Sequence, residues 1–314
     1  MVGVMKKTIK WFGFTLIILL ILPYFIPKDF KNEIPEKPFD NSRFFTVNDI
    51  SIHTQIYPNT SEYKGKVILI HGLGASTSSF RNNAPYLSEN GFYVVSIDLP
   101  AFGYSSKERG IDHSQINRAQ LIWQVLNQID KEMNNDDPWH LVGHSMGGST
   151  ILAMAEQNPS QTKTLNLIAG AVLSDNNQNW LINTPLAEWL KIALRYYFIN
   201  DKQIESLLES AASKEVSQED IQRYIEPLKV KGTINALIDF VRTSDNFLIS
   251  DFTQKQIPIN LYWGKKDTWV SVDSIDEIMK VVNINSIELF DEGHLVHETS
   301  PEFNEILIKH LINP

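Results

Sequence analysis

No cysteine occurs in the 314 residues. That excludes cysteine nucleophiles, thiolate metal sites, disulfides and a lipid-modified cysteine anchor. Positive charge is scarce: 28 Lys and Arg stand against 37 Asp and Glu, a net −9. Residues 1–27 hold Lys6, Lys7 and Lys10 and no acid, so residues 28–314 carry 25 − 37 = −12. A body of that sign repels phosphate backbones, which argues against a nucleic-acid partner. Internal repeats and low-complexity tracts are also missing, so a solenoid or fibre is excluded. With 43% hydrophobic and 21% charged residues the composition is that of a globular protein, long enough for a substantial core.

Long apolar runs are absent except one. Trp11–Pro27 passes 17 residues without a charge between Lys10 and Lys28. Its length, its flanking lysines and the interfacial residues Trp11 and Tyr24 predict a transmembrane anchor. A cleaved signal peptide competes, although Tyr-Phe-Ile-Pro-Lys-Asp-Phe contains no small-x-small cleavage site. A buried core helix is disfavoured because no polar stripe interrupts the run. The expected organisation is a basic tail over 1–10, an anchor or uncleaved signal over 11–27 and a proline-bearing linker over 28–42. The basic residues precede the span, so the body is expected at the cell membrane on the extracytoplasmic side.

Beyond the linker, strand-like and helix-like segments alternate. Phe44–Val47 and Ile50–Tyr57 flank an Asn48-Asp49 turn and predict a hairpin. Lys66–His71, Phe92–Asp98, Trp139–Val142 and Thr164–Leu173 read as strands. Helices are predicted near 78–90, 115–132 and 149–157. Such alternation predicts an α/β fold with a mostly parallel sheet covered on both faces. Residues 175–250 break the pattern. Leu186, Trp189, Leu190, Ala193, Leu194 and Tyr197 fall at helical spacing behind Thr184-Pro185, and three more amphipathic helices follow without strands. A helical cap over 175–250 is therefore expected within a core of 43–174 and 251–314. Strand–helix alternation then resumes from Ile257.

Gly143-His-Ser-Met-Gly147 matches G-x-S-x-G, directly after a predicted strand and before a helix rich in Ala, Leu and Ile. That context holds a serine exposed on a sharp bend. A serine hydroxyl is a poor nucleophile near neutrality, so a base and an orienting carboxylate must accompany Ser145. The chain order Ser, acid, His leaves His294, His297 and His310 as bases. His294, after Gly293 in a loop behind the strand Ser286–Phe290, is favoured over His297. His310 reads as a solvated helix residue. Asp267 follows the strand Ile257–Trp263 and is the expected acid, with Asp175 as runner-up; Asp291 is too near His294 in sequence. The oxyanion needs two preset donors. These are expected from the N–H groups of Met146 and of Leu73, in the turn His71-Gly-Leu-Gly-Ala75. His71 and His144 are expected to hold these turns by hydrogen bonds. The glycine pattern lacks the ending of a phosphate loop. No metal spacing stands out, and no cofactor is expected.

His71-Gly-Leu-Gly, Asp98-Leu-Pro-Ala-Phe-Gly-Tyr-Ser105, Gly-His-Ser145-Met-Gly-Gly, Gly264-Lys-Lys-Asp267 and Gly293-His294 resemble, in this order, the motifs of the α/β-hydrolase superfamily. The capped esterase, dehalogenase and C–C hydrolase branch is most similar, over residues 43–312. The resemblance implies Ser145 as nucleophile, Asp267 as acid and His294 as base. Ala101 stands where relatives often have glycine. Dehalogenases and epoxide hydrolases of this fold carry aspartate at the elbow, unlike Ser145. Proline iminopeptidases usually follow the nucleophile with tryptophan, here Met146. Haloperoxidases commonly place an aromatic residue where this chain has Leu73. The implied activity is serine hydrolysis of carboxylic esters with hydrophobic acyl groups. The alternatives are C–C bond hydrolysis by the same triad and a non-catalytic binding module. A C–C hydrolase would need a basic cap residue such as Lys191 or Arg195 turned inward. Trp180, Trp189, Tyr196, Tyr197 and Phe198 are candidates to line the acyl pocket.

Overall fold

The computed structural model describes residues 10–11, 14, 17–173, 180–254 and 256–313. Strands β1 (Ser42–Val47) and β2 (Ile50–Tyr57) form the expected hairpin. Asn48 and Asp49 take φ of 51° and 64°, the left-handed pair that matches the twist of a two-residue hairpin. Next come β3 (Gly65–Ile70), α1 (Asn83–Glu89), β4 (Phe92–Ile97), α2 (Gln115–Met133), β5 (Trp139–His144), α3 (Met146–Gln157) and β6 (Thr162–Ile168). Four helices of the insertion follow: α4 (Ala187–Ala193), α5 (Asp201–Ala212), α6 (Gln218–Leu228) and α7 (Thr233–Thr243). The chain closes with β7 (Ile259–Gly264), α8 (Ser274–Met279), β8 (Ser286–Phe290), α9 (Val296–Thr299) and α10 (Phe303–Ile312).

The eight strands lie in the order β1-β2-β4-β3-β5-β6-β7-β8. Pairing is parallel from β4 through β8 and antiparallel at β1–β2 and β2–β4. The middle strands β3, β5 and β7 are buried at every position, which is why they read as continuous apolar runs and not as alternations. One face of the sheet packs on α2 and α3, the other on α1 and α10. A third apolar cluster unites Ile204, Leu208, Ile221, Ile225 and Ile234 of the insertion with Phe30 and Leu295. Local signals place the helix starts. The side chains of Ser114, Asn200 and Ser217 accept from the backbone N–H groups of Asn117, Gln203 and Asp220.

Two expectations are corrected. No helix among the described residues is long and apolar enough to cross a membrane, so the transmembrane helix expected over 11–27 does not stand. The described helical residues reach only to Ile21, where Leu22–Phe25 tightens into a 3-10 turn with Pro23 at its start, and Ile26 leaves it extended. Proline removes the N–H that a continuing helix needs. Residues 19–27 instead meet the insertion at both ends. The Trp189 indole N–H donates to Leu19 O at 2.7 Å, and the Tyr196 hydroxyl donates to Pro27 O at 2.7 Å. The expected linker is tied down too, since the Asp29 carboxylate accepts from Gly232 N and Lys231 N–H donates to Asn32 O. Apart from Lys10, the basic tail lies outside the described residues.

The second correction concerns the helix expected from Leu186 to Tyr197. α4 ends at Ala193 and passes into a single π turn, Leu194–Phe198, closed by Ile199 N–H to Leu194 O at 2.9 Å. The wider turn breaks the 3.6-residue register. Tyr196, Tyr197 and Phe198 are left exposed, and Leu186 with them.

Candidate active site

Ser145 sits between the end of β5 and the first residue of α3, with φ 51° and ψ −115°. A non-glycine residue takes that conformation only when its surroundings impose it. Its N–H donates to Ile168 O, and its carbonyl accepts from Gly148 N and Ala171 N. The flanking glycines are required by close approach. A Cβ on Gly147 would lie 2.3 Å from Ile70 O, and one on Gly143 would lie 2.3 Å from Gly147 O. Strand and helix therefore cross where only bare backbone fits, and the serine is pushed onto the sheet's carboxyl edge.

The loops after β7 and β8 deliver the other two residues. Asp267 is buried, and its Oδ1 accepts from Trp269 N at 2.8 Å and Val270 N at 3.0 Å. Its Oδ2 meets His294 Nδ1 at 2.7 Å. A carboxylate fixed by two backbone donors can only accept from the ring, so Nδ1 carries the proton and Nε2 is left as the basic nitrogen. The base loop is clamped on both sides of its peptide. His294 N–H donates to Ala211 O at 2.6 Å, and His144 Nε2–H donates to His294 O at 3.1 Å.

His71 holds the neighbouring glycine-rich turn. Its Nδ1–H donates to Gly72 O at 2.7 Å, and its Nε2 accepts from Leu99 N at 3.0 Å. Burial pushes its pKa down to about 4, so the ring is neutral and one nitrogen is free to accept. His144 is held well below its usual range, first by burial. It braces the base loop and not its own turn, contrary to expectation. His297 is buried against His144 and Phe80 and pushed down to about 3 by burial. His310 takes a hydrogen bond with the Tyr262 hydroxyl at 2.8 Å and is only partly solvated. Asp291 pairs with Lys266 at 3.0 Å. Asp175 and the side chain of Trp180 lie outside the described residues.

Ser145 and His294 open on one cavity of about 390 Å3. Leu73 borders it, as do Phe198, Leu207, Leu208 and Leu228 from the insertion. Among the described residues no Lys, Arg, Asp or Glu lines it. Lys191 pairs with Glu188 at 2.7 Å, and Arg195 stacks on Phe30 with its guanidinium carbon 3.8 Å from the ring centre, so neither enters. Among the expected aromatics Phe198 is on the wall, while Trp189 and Tyr196 bind the N-terminal segment. Two larger polar hollows, one around Arg81 and Asp220 and one around Lys163 and Gln254, contain none of these groups. No cluster able to hold a metal occurs among the described residues. Trp269 was not singled out from sequence, although it stands two places beyond Asp267. Its ring lines the cavity and stacks on His294.

Residues 66–301 match the model of the alpha/beta hydrolase fold. The chain belongs to that family and is a hydrolase of that fold. It is 27% identical over 265 residues to the uncharacterized hydrolase YugF of Bacillus subtilis, covering 83% of this chain and 93% of that one. It is 23% identical over 304 residues to the 2-hydroxy-6-oxononadienedioate/2-hydroxy-6-oxononatrienedioate hydrolase of Escherichia coli K12, covering 89% and 99%. Among solved structures it is similar to a membrane phospholipase A described as a bacterial virulence factor, with a TM-score of 0.68 and 18% identity over the whole of both chains. A probable hydrolytic enzyme of Pseudomonas aeruginosa PAO1 gives a TM-score of 0.73 at 17% identity, over 92% of this chain and 100% of that one. At such identities the structural likenesses establish the fold alone.

Proposed function

We propose that this chain is a serine hydrolase that cleaves carboxylic esters of apolar acids through an acyl-enzyme. One observation carries the reading: His294, held 2.7 Å from the buried Asp267 carboxylate, borders the same apolar cavity as Ser145 on its strained turn. In this mechanism His294 Nε2 takes the hydroxyl proton as Ser145 Oγ attacks the ester carbonyl. The N–H groups of Met146 and Leu73 receive the charge that develops on the carbonyl oxygen. Asp267 keeps the proton on Nδ1 and stabilises the imidazolium. His294 then protonates the leaving alcohol, and water activated by the same nitrogen releases the acid.

The lining supports an apolar acyl group, because a charged one would be desolvated there without a partner. C–C bond hydrolysis is the second reading, favoured by the Escherichia coli relative, whose substrate is by name a dioate. The uncharged wall, with Lys191 and Arg195 engaged elsewhere, counts against it. The test is a panel of p-nitrophenyl esters from acetyl to dodecanoyl beside a ring-fission diketo dicarboxylate. Turnover rising with acyl length supports the ester reading. Turnover of the dicarboxylate alone overturns it.

A further inference from the structure

We propose that Trp269 is a positioning residue for His294, which it supports by ring stacking and couples to the last turn of α5. The proposal rests on His294 being the base. The indole lies nearly parallel to the imidazole, with centroids 5.6 Å apart and an interplanar angle of 24°. Two hydrogen bonds fix it there, and a third ties His294 to the same turn. Its backbone N–H donates to Asp267 Oδ1, on the same carboxylate that holds His294. Its indole N–H donates to Ser210 Oγ at 3.1 Å. The residue after Ser210, Ala211, accepts the His294 N–H. One turn of α5 thus holds the base by its backbone and the indole by its edge.

Packing alone does not account for this tryptophan. It is 48% exposed and belongs to none of the three apolar clusters. Stacking bears on the reaction because each half-reaction passes through an imidazolium. An aromatic face within about 6 Å of a cation attracts it. Among the described residues the other titratable groups near the ring are the Asp267 carboxylate, the neutral rings of His144 and His297 and the Tyr224 hydroxyl on the cavity wall, and no Lys or Arg lines the cavity. The indole is therefore the one π face directed at this charge from the acid's own loop.

The experiment compares Trp269→Leu, Trp269→Phe and Ser210→Ala with wild type, using p-nitrophenyl acetate, whose short acyl group keeps the contribution of the acyl pocket small. Thermal melting checks each fold. Trp269→Leu is expected to lower kcat about five-fold and to move the acid limb of the kcat/KM profile down by about half a pH unit. Trp269→Phe, which keeps a ring, should restore most of both. Ser210→Ala, which frees only the indole edge, should lower kcat about two-fold. A Trp269→Leu enzyme with unchanged kcat and acid limb and an altered KM makes Trp269 a pocket wall and overturns the proposal, as does a Trp269→Phe enzyme no better than Trp269→Leu. If wild type does not turn over, the reading of His294 as base fails. The stack is then judged separately from the ring-current shift on the His294 imidazole protons by NMR. Loss of that shift in Trp269→Leu upholds the contact, and its absence from wild type removes it.

Discussion

The nucleophile's side of the site and the insertion's side are built in different ways. Around Ser145 the parts are backbone: a strand, a helix start and two glycines at which an added Cβ would lie 2.3 Å from a carbonyl oxygen. Across the cavity, the wall is made of side chains from α5, α6 and the π turn, several of them half exposed, such as Phe198 and Leu207. Backbone crossings admit one geometry and fix the chemistry. A wall of exposed apolar side chains tolerates exchange and is free to set the preference among substrates.

Substitutions that remove the chemistry should have the largest effects. Ser145→Ala and Asp267→Asn are each expected to lower kcat/KM by on the order of 10^3-fold or more with melting unchanged. Half of wild-type turnover in either variant would break the contrast at its stronger end. The next effect is on stability. His71, His113, His140, His144 and His297 are buried neutral in the body, all with lowered pKa, while residues 180–243 contain no histidine. The unfolded chain takes up protons as pH falls below about 6.5, whereas the folded body refuses them, so stability is lost downward from there. His71 alone, with its pKa near 4, accounts for about 3 kcal/mol of loss by pH 4. Melting followed from pH 7.5 to 4.5 should show a steep fall below 6.5, and a flat profile would refute the neutral assignments.

A smaller effect tests the wall. Phe198→Ala should cut kcat/KM on octanoyl esters about ten-fold and leave acetyl esters within two-fold. Equal losses on both would mean that the insertion shapes the chemistry as well. The smallest effect is in the body. Ala101 is buried with φ 76°, a left-handed conformation that costs a Cβ about 1 kcal/mol. Ala101→Gly should raise stability by up to about 1 kcal/mol, read as a small rise in melting temperature.

What was legible in the sequence follows the same division. The hairpin at Asn48-Asp49, the buried strands, the elbow at Ser145 and the loops carrying Asp267 and His294 are local patterns, and the structure brings the elbow and those two loops together at one edge of the sheet. The glycine usual at Ala101 is explained by its positive φ. Contacts between distant segments that no motif marks were not legible. The apolar run over 11–27 has the composition of a span. Pro23 marks locally where the helix stops, but nothing local reveals that Leu19 and Pro27 are bound by Trp189 and Tyr196. The periodicity from Leu186 to Tyr197 is genuine, yet the π turn spends its second half on the surface. Trp269 was missed because its partners, His294 and Ser210, lie 25 and 59 residues away in sequence.

The most direct test of the central claim is covalent labelling by a fluorophosphonate, run on wild type, Ser145→Ala and His294→Ala and read by mass spectrometry. The account predicts one adduct, on Ser145, in wild type, none in Ser145→Ala and strongly slowed labelling in His294→Ala. Folded wild-type protein that takes no label, or carries it on another residue, would contradict it.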